Sequence, residues 1–204
     1  MLAIITGDVI QSRSLPASIP WILQLKQILS EITASETDWE VFRGDSFQMA
    51  VTAPQEALHK ALIIKAGMMR MAGVNVRMAI GIGRQDYQGM SIKESNGSAF
   101  VRSGNMFNQL KKKTLAIETP WPKIDAEVNL YLELAALTMD NWSQSSATAV
   151  YLALKEPEIK QQDMAIRLEI TQGNVSSRLK RAALETLQKV ELRYRQLIHA
   201  KIQS

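Results

Sequence analysis

The sequence contains no cysteine, so it can form neither disulfide bonds nor thiolate metal sites. It also lacks an apolar run near the ~20 residues that a transmembrane helix needs, and no basic segment precedes the first apolar run. Neither a Ser/His/Asp pattern nor a glycine-rich phosphate loop occurs. These absences exclude a disulfide scaffold and a membrane span, and they predict a cytoplasmic protein.

What is present is ordinary globular composition with uneven charge. The 204 residues are 46% hydrophobic and 22% charged, which suits one large domain or two small ones. The formal net charge is +4, but residues 171–204 hold seven Lys or Arg against two Glu, a local excess of 7 − 2 = +5. The C-terminal end is therefore the part that we expect to meet an anionic partner.

The first half alternates strand and helix patterns. The predicted strands are 2–10 and 74–83, with a predicted hairpin over 39–51 that turns at Gly44 and Asp45 between them, and the predicted helices are 19–32 and 54–73. This order is βαββαβ, the ferredoxin-like arrangement, with two helices on one face of the sheet and the first and third strands side by side. The sequence thus predicts an α+β fold.

Two carboxylates converge in this arrangement. Asp8 ends the first strand, and Asp45 stands in the turn of the hairpin, so both lie at one edge of the sheet. Two hard oxygen donors can share Mg²⁺ or Mn²⁺ ions that bridge the phosphates of a nucleotide. The alternative is that Asp8 and Asp45 are only turn residues, a position that Asp favours.

The middle of the chain connects two predicted domains. A polar loop over 86–97, a helix over 100–113 and a short strand over 114–118 complete the first domain, 1–120. Pro120 and Pro122 flank Trp121 at the boundary, and a helical pattern over 126–142 opens the second domain, 121–204.

The second domain contains a helix-turn-helix pattern at about 161–182. Ala165, Leu168, Ile170, Val175 and Leu179 supply its small core, and polar residues head the second helix. DNA recognition would then use base edges and phosphates. The residues predicted to face base edges are Gln172, Asn174, Ser176 and Ser177, and those predicted to face phosphates are Arg178, Lys180 and Arg181. The alternative is a solvated helix face; if the chain acts on DNA, a homodimer is expected.

Three resemblances extend this interpretation. The segment 175–182 resembles region 4 of the sigma factors and the related response-regulator readers, although Glu169 stands where their turn usually has glycine. Segments 5–10, 43–47 and 76–83 resemble the class III nucleotide cyclase domain. The whole chain resembles the SatD family through segments 7–13, 43–48 and 79–83, ahead of a DNA-reader-like end.

The cyclase resemblance implies roles for particular residues. Asp8 and Asp45 would be the metal ligands, and the backbone of Val9 would lie between metal and phosphate. Asn108 and Lys112 would stand in for the Asn and Arg that cyclases carry four residues apart on one helix, and Lys112 lacks the planar fork of arginine. Two further cations would contact phosphate, Arg13 and Arg43.

Together these observations predict a DNA-binding transcriptional regulator with a nucleotide- or metal-binding sensor domain. The alternative is a metal-dependent enzyme that acts on nucleoside triphosphates, with the C-terminal helices serving for assembly. A third hypothesis is a non-catalytic assembly module.

Overall fold

The computed structural model describes residues 1–12, 19–42 and 44–203, without the side chain of Ile19. Over these ranges the chain is a mixed α+β structure of five strands and eight α-helices. The strands are β1 (Leu2–Val9), β2 (Trp39–Phe42), β3 (Ser46–Val51), β4 (Val76–Gly83) and β5 (Leu115–Glu118). The helices are α1 (Ile19–Ile32), α2 (Ala57–Met69), α3 (Ser98–Gln109), α4 (Pro122–Met139), α5 (Gln144–Lys155), α6 (Gln161–Arg167), α7 (Gln172–Arg181) and α8 (Leu184–Gln203).

The five strands form one sheet in the order β2-β3-β1-β4-β5. The central strand β1 is antiparallel to both β3 and β4, whereas β5 is parallel to β4. β2 and β3 form the predicted hairpin. The first and third strands of the chain are therefore neighbours, and β5 extends the sheet beyond β4.

One face of the sheet carries the main apolar core. Side chains alternate along a strand, so Ala3, Ile5 and Val9 of β1 point to the same face, where they join the core formed with α1 and α2. α2 also packs against α5 on its other side. Because both sides of α2 are covered, Leu58 and Met68 are fully buried.

The second face is covered by α3, so the expectation of two helices on one face was incomplete. Small residues on β4 permit this contact. A Cβ atom at Gly81 would lie 2.2 Å from the backbone nitrogen of Ser103 and 2.4 Å from the carbonyl oxygen of Ala99. Glycine is therefore required where the helix backbone meets the strand.

The C-terminal helices share the core of the sheet. The α4 helix begins at Pro122, directly after the predicted domain boundary, where proline is tolerated because the first turn needs no N–H donor. The apolar core nevertheless continues across this boundary into α5 and α8. Tyr194 of α8 is fully buried and donates a hydrogen bond to the carbonyl oxygen of Pro54 at 2.7 Å.

In the described ranges, none of the helices combines the length and apolarity that crossing a membrane requires.

Candidate functional sites

Asp8 and Asp45 line one cleft at an edge of the sheet. Ser46, the residue after Asp45, is the cross-strand partner of Asp8, and the carbonyl oxygen of Asp45 accepts a hydrogen bond from the Val9 nitrogen at 3.0 Å. The cleft has a volume of about 500 Å³. Its other described lining residues include Gln11, Ser12, Arg77 and the segment 111–114.

The Asp8 carboxylate is already engaged by an arginine. Arg77 is its cross-strand partner on β4 and donates from Nε to Oδ1 and from Nη2 to Oδ2, each at 2.8 Å. This bidentate hydrogen bonding raises the pKa of Arg77, although burial lowers it. The nearby charge of Asp45 also raises the pKa of Arg77. Arg77 also lies over the Phe107 ring, 5.0 Å from its centroid.

The Asp45 carboxylate is held by hydroxyl groups. Ser12 donates to Oδ2 at 2.5 Å, and Ser46 donates to Oδ1 at 3.4 Å. In the described part of the chain, no cluster of three or more His, Cys, Asp or Glu side chains is arranged to hold a metal ion. Asp8 and Asp45 suit a hard cation chemically, but water or ligand oxygens would have to complete its coordination.

A lysine turn forms the opposite wall of the cleft. The helix predicted over 100–113 ends at Gln109 as α3, and Lys111 has a positive φ of 48°. Lys111, Lys112 and Lys113 all line the cleft from this turn. Among the described lining residues, these lysines and Arg77 place four positive charges against the two carboxylates, a balance of 4 − 2 = +2. The cleft therefore favours an anion over a free cation.

Several residues assigned from the cyclase resemblance are not placed as expected. Asn108 is exposed on α3 and is not one of the cleft residues. Lys112 lines the cleft, but it lies beyond the end of the helix, so the spacing of four residues on one helix is lost. The Val9 N–H is already bonded to Asp45. Arg13 and Arg43 lie outside the described residues.

Arg77, Lys111 and Lys113 line the cleft and were not predicted as site residues, whereas Lys112 was. Arg77 is a single cation in a mostly apolar strand, which alone does not indicate a site. It points to the cleft only when the register that pairs it with Asp8 is known. Lys111 and Lys113 were expected to end a helix. Its actual end at Gln109 turns them toward the cleft.

A buried lysine lies behind the cleft. The side chain of Lys65 on α2 is 0% exposed, and its Nζ contacts Asp140 Oδ1 at 2.6 Å, Asn75 Oδ1 at 3.0 Å and Thr114 Oγ1 at 3.3 Å. Thr114, which lines the cleft, donates to Asp140 at 2.6 Å. Burial lowers the pKa of Lys65, while Asp140 opposes that change.

This polar cluster adjoins the helix-turn-helix. Asp140 follows the last residue of α4, and two residues later Trp142 donates from Nε1 to the carbonyl oxygen of Ala182 at 3.1 Å. Ala182 is the C-cap of α7. Thr114 in the cleft is therefore connected to the end of α7 by its hydrogen bond to Asp140, the chain from Asp140 to Trp142, and the hydrogen bond of Trp142 to Ala182.

The segment 161–182, predicted as a helix-turn-helix, contains the two helices α6 and α7 joined by a short turn. A separate small core contains Met164, Ala165 and Val175, with Leu168 and Leu179 against it. α7 begins with a side-chain cap, because Thr171 accepts a hydrogen bond from the Asn174 nitrogen.

The turn closes even though it has no glycine. Glu169 takes the left-handed conformation with φ 53°. Its nitrogen donates to Ile166, and the Ile170 nitrogen donates to Ala165, which together form a Schellman motif.

The outer face of α7 is polar and basic. Val175 is buried, and Leu179 and Arg178 are half-buried. At 100° per residue, Ser177, Lys180 and Arg181 lie roughly opposite Val175. The residues predicted to contact DNA that are exposed are Gln172, Asn174, Ser176, Ser177, Lys180 and Arg181.

The cations of α7 differ from those of α8 in their pairing. Lys189, Arg193 and Arg195 of α8 each form an ion pair with a glutamate. Among the described residues, no carboxylate lies within ion-pair distance of the α7 cations Arg178, Lys180 and Arg181. Within residues 171–204, the positive charge that no described carboxylate pairs is therefore concentrated on α7.

Comparison with protein-family models, curated proteins and solved structures gives no match to this chain.

Proposed function

We propose that this protein is a DNA-binding regulator whose sheet-containing half binds a phosphate-bearing, nucleotide-like ligand. The observation that carries the proposal is the set of three cations on the capped helix α7 that no carboxylate of the described residues pairs, next to exposed polar side chains. On α8, by contrast, Lys189, Arg193 and Arg195 are each paired with a glutamate. Unpaired cations on one helix suit the phosphates of DNA.

In this proposal α7 enters the major groove. Asn174 and Ser177 would contact base edges, because amide and hydroxyl groups offer both donors and acceptors. Lys180 and Arg181 would contact phosphates and fix the orientation of the helix. Arg178 is half-buried, so it would reach a phosphate at the rim of the groove.

The test is fluorescence anisotropy with genomic DNA fragments over a range of salt concentrations. Removing two phosphate contacts with Lys180→Ala and Arg181→Ala should weaken binding and reduce the salt slope by about 2. Lys189→Ala is the matched control, since Lys189 is exposed but paired with Glu185, and it should bind as the wild type does. Equal binding by the double variant and the wild type would refute the proposal.

For the sheet-containing half we propose the ferredoxin-like, cyclase-like arrangement. The strand order β2-β3-β1-β4 and the two helices on one face support it. The resemblance to the SatD family is consistent with this domain pair and supplies no activity of its own.

The ligand proposal is supported by the positive balance of the cleft. Arg77 and the lysine turn would bind phosphate groups, and Asp8 and Asp45 would hold Mg²⁺ or Mn²⁺ if the ligand brings one. The ion would neutralise phosphate charge. Asp8 would bind the ion either through the lone pairs that the two Arg77 hydrogen bonds leave on its oxygens or after Arg77 has moved away.

A thermal-shift screen of nucleotides, with and without Mg²⁺ or Mn²⁺, tests the ligand proposal. A ligand at ~100 times its dissociation constant stabilises the folded state by ~2.7 kcal/mol. The stabilisation should be lost in the variant that combines Asp8→Ala and Asp45→Ala if a metal ion takes part. A shift that is independent of metal and is lost instead in Arg77→Gln would indicate a direct phosphate site.

The alternative function is a metal-dependent enzyme that acts on nucleoside triphosphates. The position of Asp8 and Asp45 on one cleft favours it. The pairing of Asp8 with Arg77 and the position of Asn108 outside the cleft weigh against cyclisation. Triphosphate turnover with Mg²⁺ or Mn²⁺ that is abolished by Asp45→Ala would establish the enzyme. Absence of turnover with every triphosphate would exclude it.

A further inference from the structure

Helix α4 carries an apolar stripe that the fold leaves uncovered. Leu130, Leu134 and Leu137 are 55%, 58% and 74% exposed. They follow one another at intervals of four and three residues, the spacing with which one helix packs along another. The opposite side of α4 is already used, because Val128 and Leu132 are buried in the core. The stripe is therefore a second apolar face on the same helix.

An apolar groove runs beside the stripe, between α4 and α8. Its volume is about 280 Å³. The two helices run antiparallel, because Arg193 of α8 pairs with Glu127 near the start of α4, while Trp142, just after α4, donates to Ala182, just before α8. The groove is lined by Tyr131, Leu134 and Ala135 on one side and by Ala183, Leu187 and Val190 on the other. Stripe and groove form one continuous face, which we name the α4–α8 face.

Most charges around this face are paired within the chain. Six of them form three ion pairs, so their sum is 3 − 3 = 0: Glu127 with Arg193, Glu133 with Lys113, and Glu185 with Lys189. Lys123, exposed in the first turn of α4, adds one positive charge at the end of the stripe. A two-fold dimer brings a surface against its own copy, and any net charge on that surface would repel itself. The α7 face, with three cations that no described carboxylate pairs, would meet a larger repulsion than the α4–α8 face.

The size of the face matches a small interface. An 18-residue helix is ~27 Å long, and two packed helices with their side chains span ~20 Å. The projected face is then ~500 Å² per copy and ~1,000 Å² per pair, near the lower limit for a specific protein interface.

We propose that the α4–α8 face binds the same face of a second copy of this chain, forming a two-fold four-helix contact. Leu134, in the middle of the stripe, lies near the two-fold axis, and Leu130 of one copy packs toward Leu137 of the other. The cations of α7 stay outside the contact. The inference rests on the exposed leucines and the mostly paired charges around them, and it stands independently of DNA binding.

Sedimentation velocity of the full chain, from low to high micromolar concentration, tests the proposal. The wild type should change from monomer to dimer within this range. Leu134→Glu with Leu137→Glu should raise the dimer dissociation constant at least ~100-fold, because like charges would face each other across the axis. The matched control is Leu23→Glu, since Leu23 is 61% exposed on α1, away from this face. It should dimerise as the wild type does.

A second measurement does not depend on a charged substitution. Because the chain has no cysteine, Leu134→Cys gives each copy a single thiol. A bismaleimide should link two Leu134→Cys chains efficiently and link Leu23→Cys chains no faster than random collision. A wild type that is monomeric at every concentration overturns the proposal. So does a dimer that persists in the double variant, or cross-linking that is equal at positions 134 and 23.

Discussion

Replacing Asp140 with asparagine tests how strongly the buried charge of Lys65 depends on its carboxylate partner. The side chain of Lys65 is 0% exposed, whereas that of Asp140 is 28% exposed. Asparagine keeps the shape and removes the charge. The change therefore leaves an ammonium group in the protein interior with only the neutral acceptors Asn75 and Thr114.

The expected cost follows from this asymmetry. Removing one partner of a buried ion pair costs ~3–5 kcal/mol. We expect ~3 kcal/mol, the lower end, because two neutral acceptors remain with Lys65. Lys65→Met removes the buried charge instead and leaves Asp140 partly in solvent with the Thr114 hydroxyl, so it should cost ~1 kcal/mol or less. The double variant should match Lys65→Met and be more stable than Asp140→Asn alone.

Urea unfolding followed by tryptophan fluorescence and circular dichroism provides the measurement. The exposed pair of Glu185 and Lys189 is the control, and Glu185→Gln should leave the midpoint unchanged. A cost below ~1 kcal/mol for Asp140→Asn, or a larger cost for Lys65→Met than for Asp140→Asn, would refute the reasoning about the buried charge.

The pH dependence gives a second readout of the same variant. Burial lowers the pKa of Lys65 from its ordinary value of 10.5, so the unfolded chain holds this proton more tightly than the folded chain. Stability from this group therefore increases as pH rises from the folded pKa toward 10.5. Losing Asp140 lowers the folded pKa further and widens that window. The deficit of Asp140→Asn relative to the wild type should shrink at alkaline pH.

Three further predictions concern the backbone and the alkaline limit. Glu169→Gly should stabilise the protein by ~0.5–1 kcal/mol, because glycine relieves the left-handed conformation at φ 53°; differential scanning calorimetry should show a small rise in Tm, and a fall would contradict this. Gly81→Ala should cost ~3 kcal/mol and lower Tm by ~6–12 °C, since the new Cβ would lie 2.2 Å from the Ser103 backbone; an unchanged Tm would show that α3 shifts freely. Burial, with the hydrogen bond to Glu31, raises the pKa of Tyr151 from 10.0 to about 12. The unfolded chain thus loses this proton first, and the stability of the wild type should fall between pH 10 and 12. The stability of Tyr151→Phe should fall less steeply over this range. Equal slopes of stability against pH in the two proteins would contradict the raised pKa of Tyr151.

Much of the fold could be predicted because its signals are local. Alternation of apolar residues gives the strands, and the order of strands and helices leads to the pairing of β1 with β3. That pairing places Asp8 and Asp45 at one cleft. The small core of the helix-turn-helix was equally readable, because Ala165, Leu168 and Val175 lie close together in the chain.

The errors arose where a contact depends on distant segments. The end of α3 at Gln109, rather than at Lys113, moved three lysines to the cleft and left Asn108 outside it. A run of lysines is compatible with either a last helical turn or a following loop. The choice depends on how α3 packs on β4, which spacing along the helix does not report.

Which residues share a strand face or a helix stripe could be read from the sequence, because those relations follow from the periods of 2 and 3.6 residues. Which charges meet depends on how distant segments pack. The register of β1 against β4 sets Arg77 on Asp8, and the contact of α2 with the residue that follows α4 places the buried Lys65 beside Asp140. Tertiary packing also determines which side of α4 is left exposed, since leucines occur on both sides. Ion pairs and hydrogen bonds depend on distances of a few ångströms between segments far apart in the chain, and those distances exist only in the folded protein.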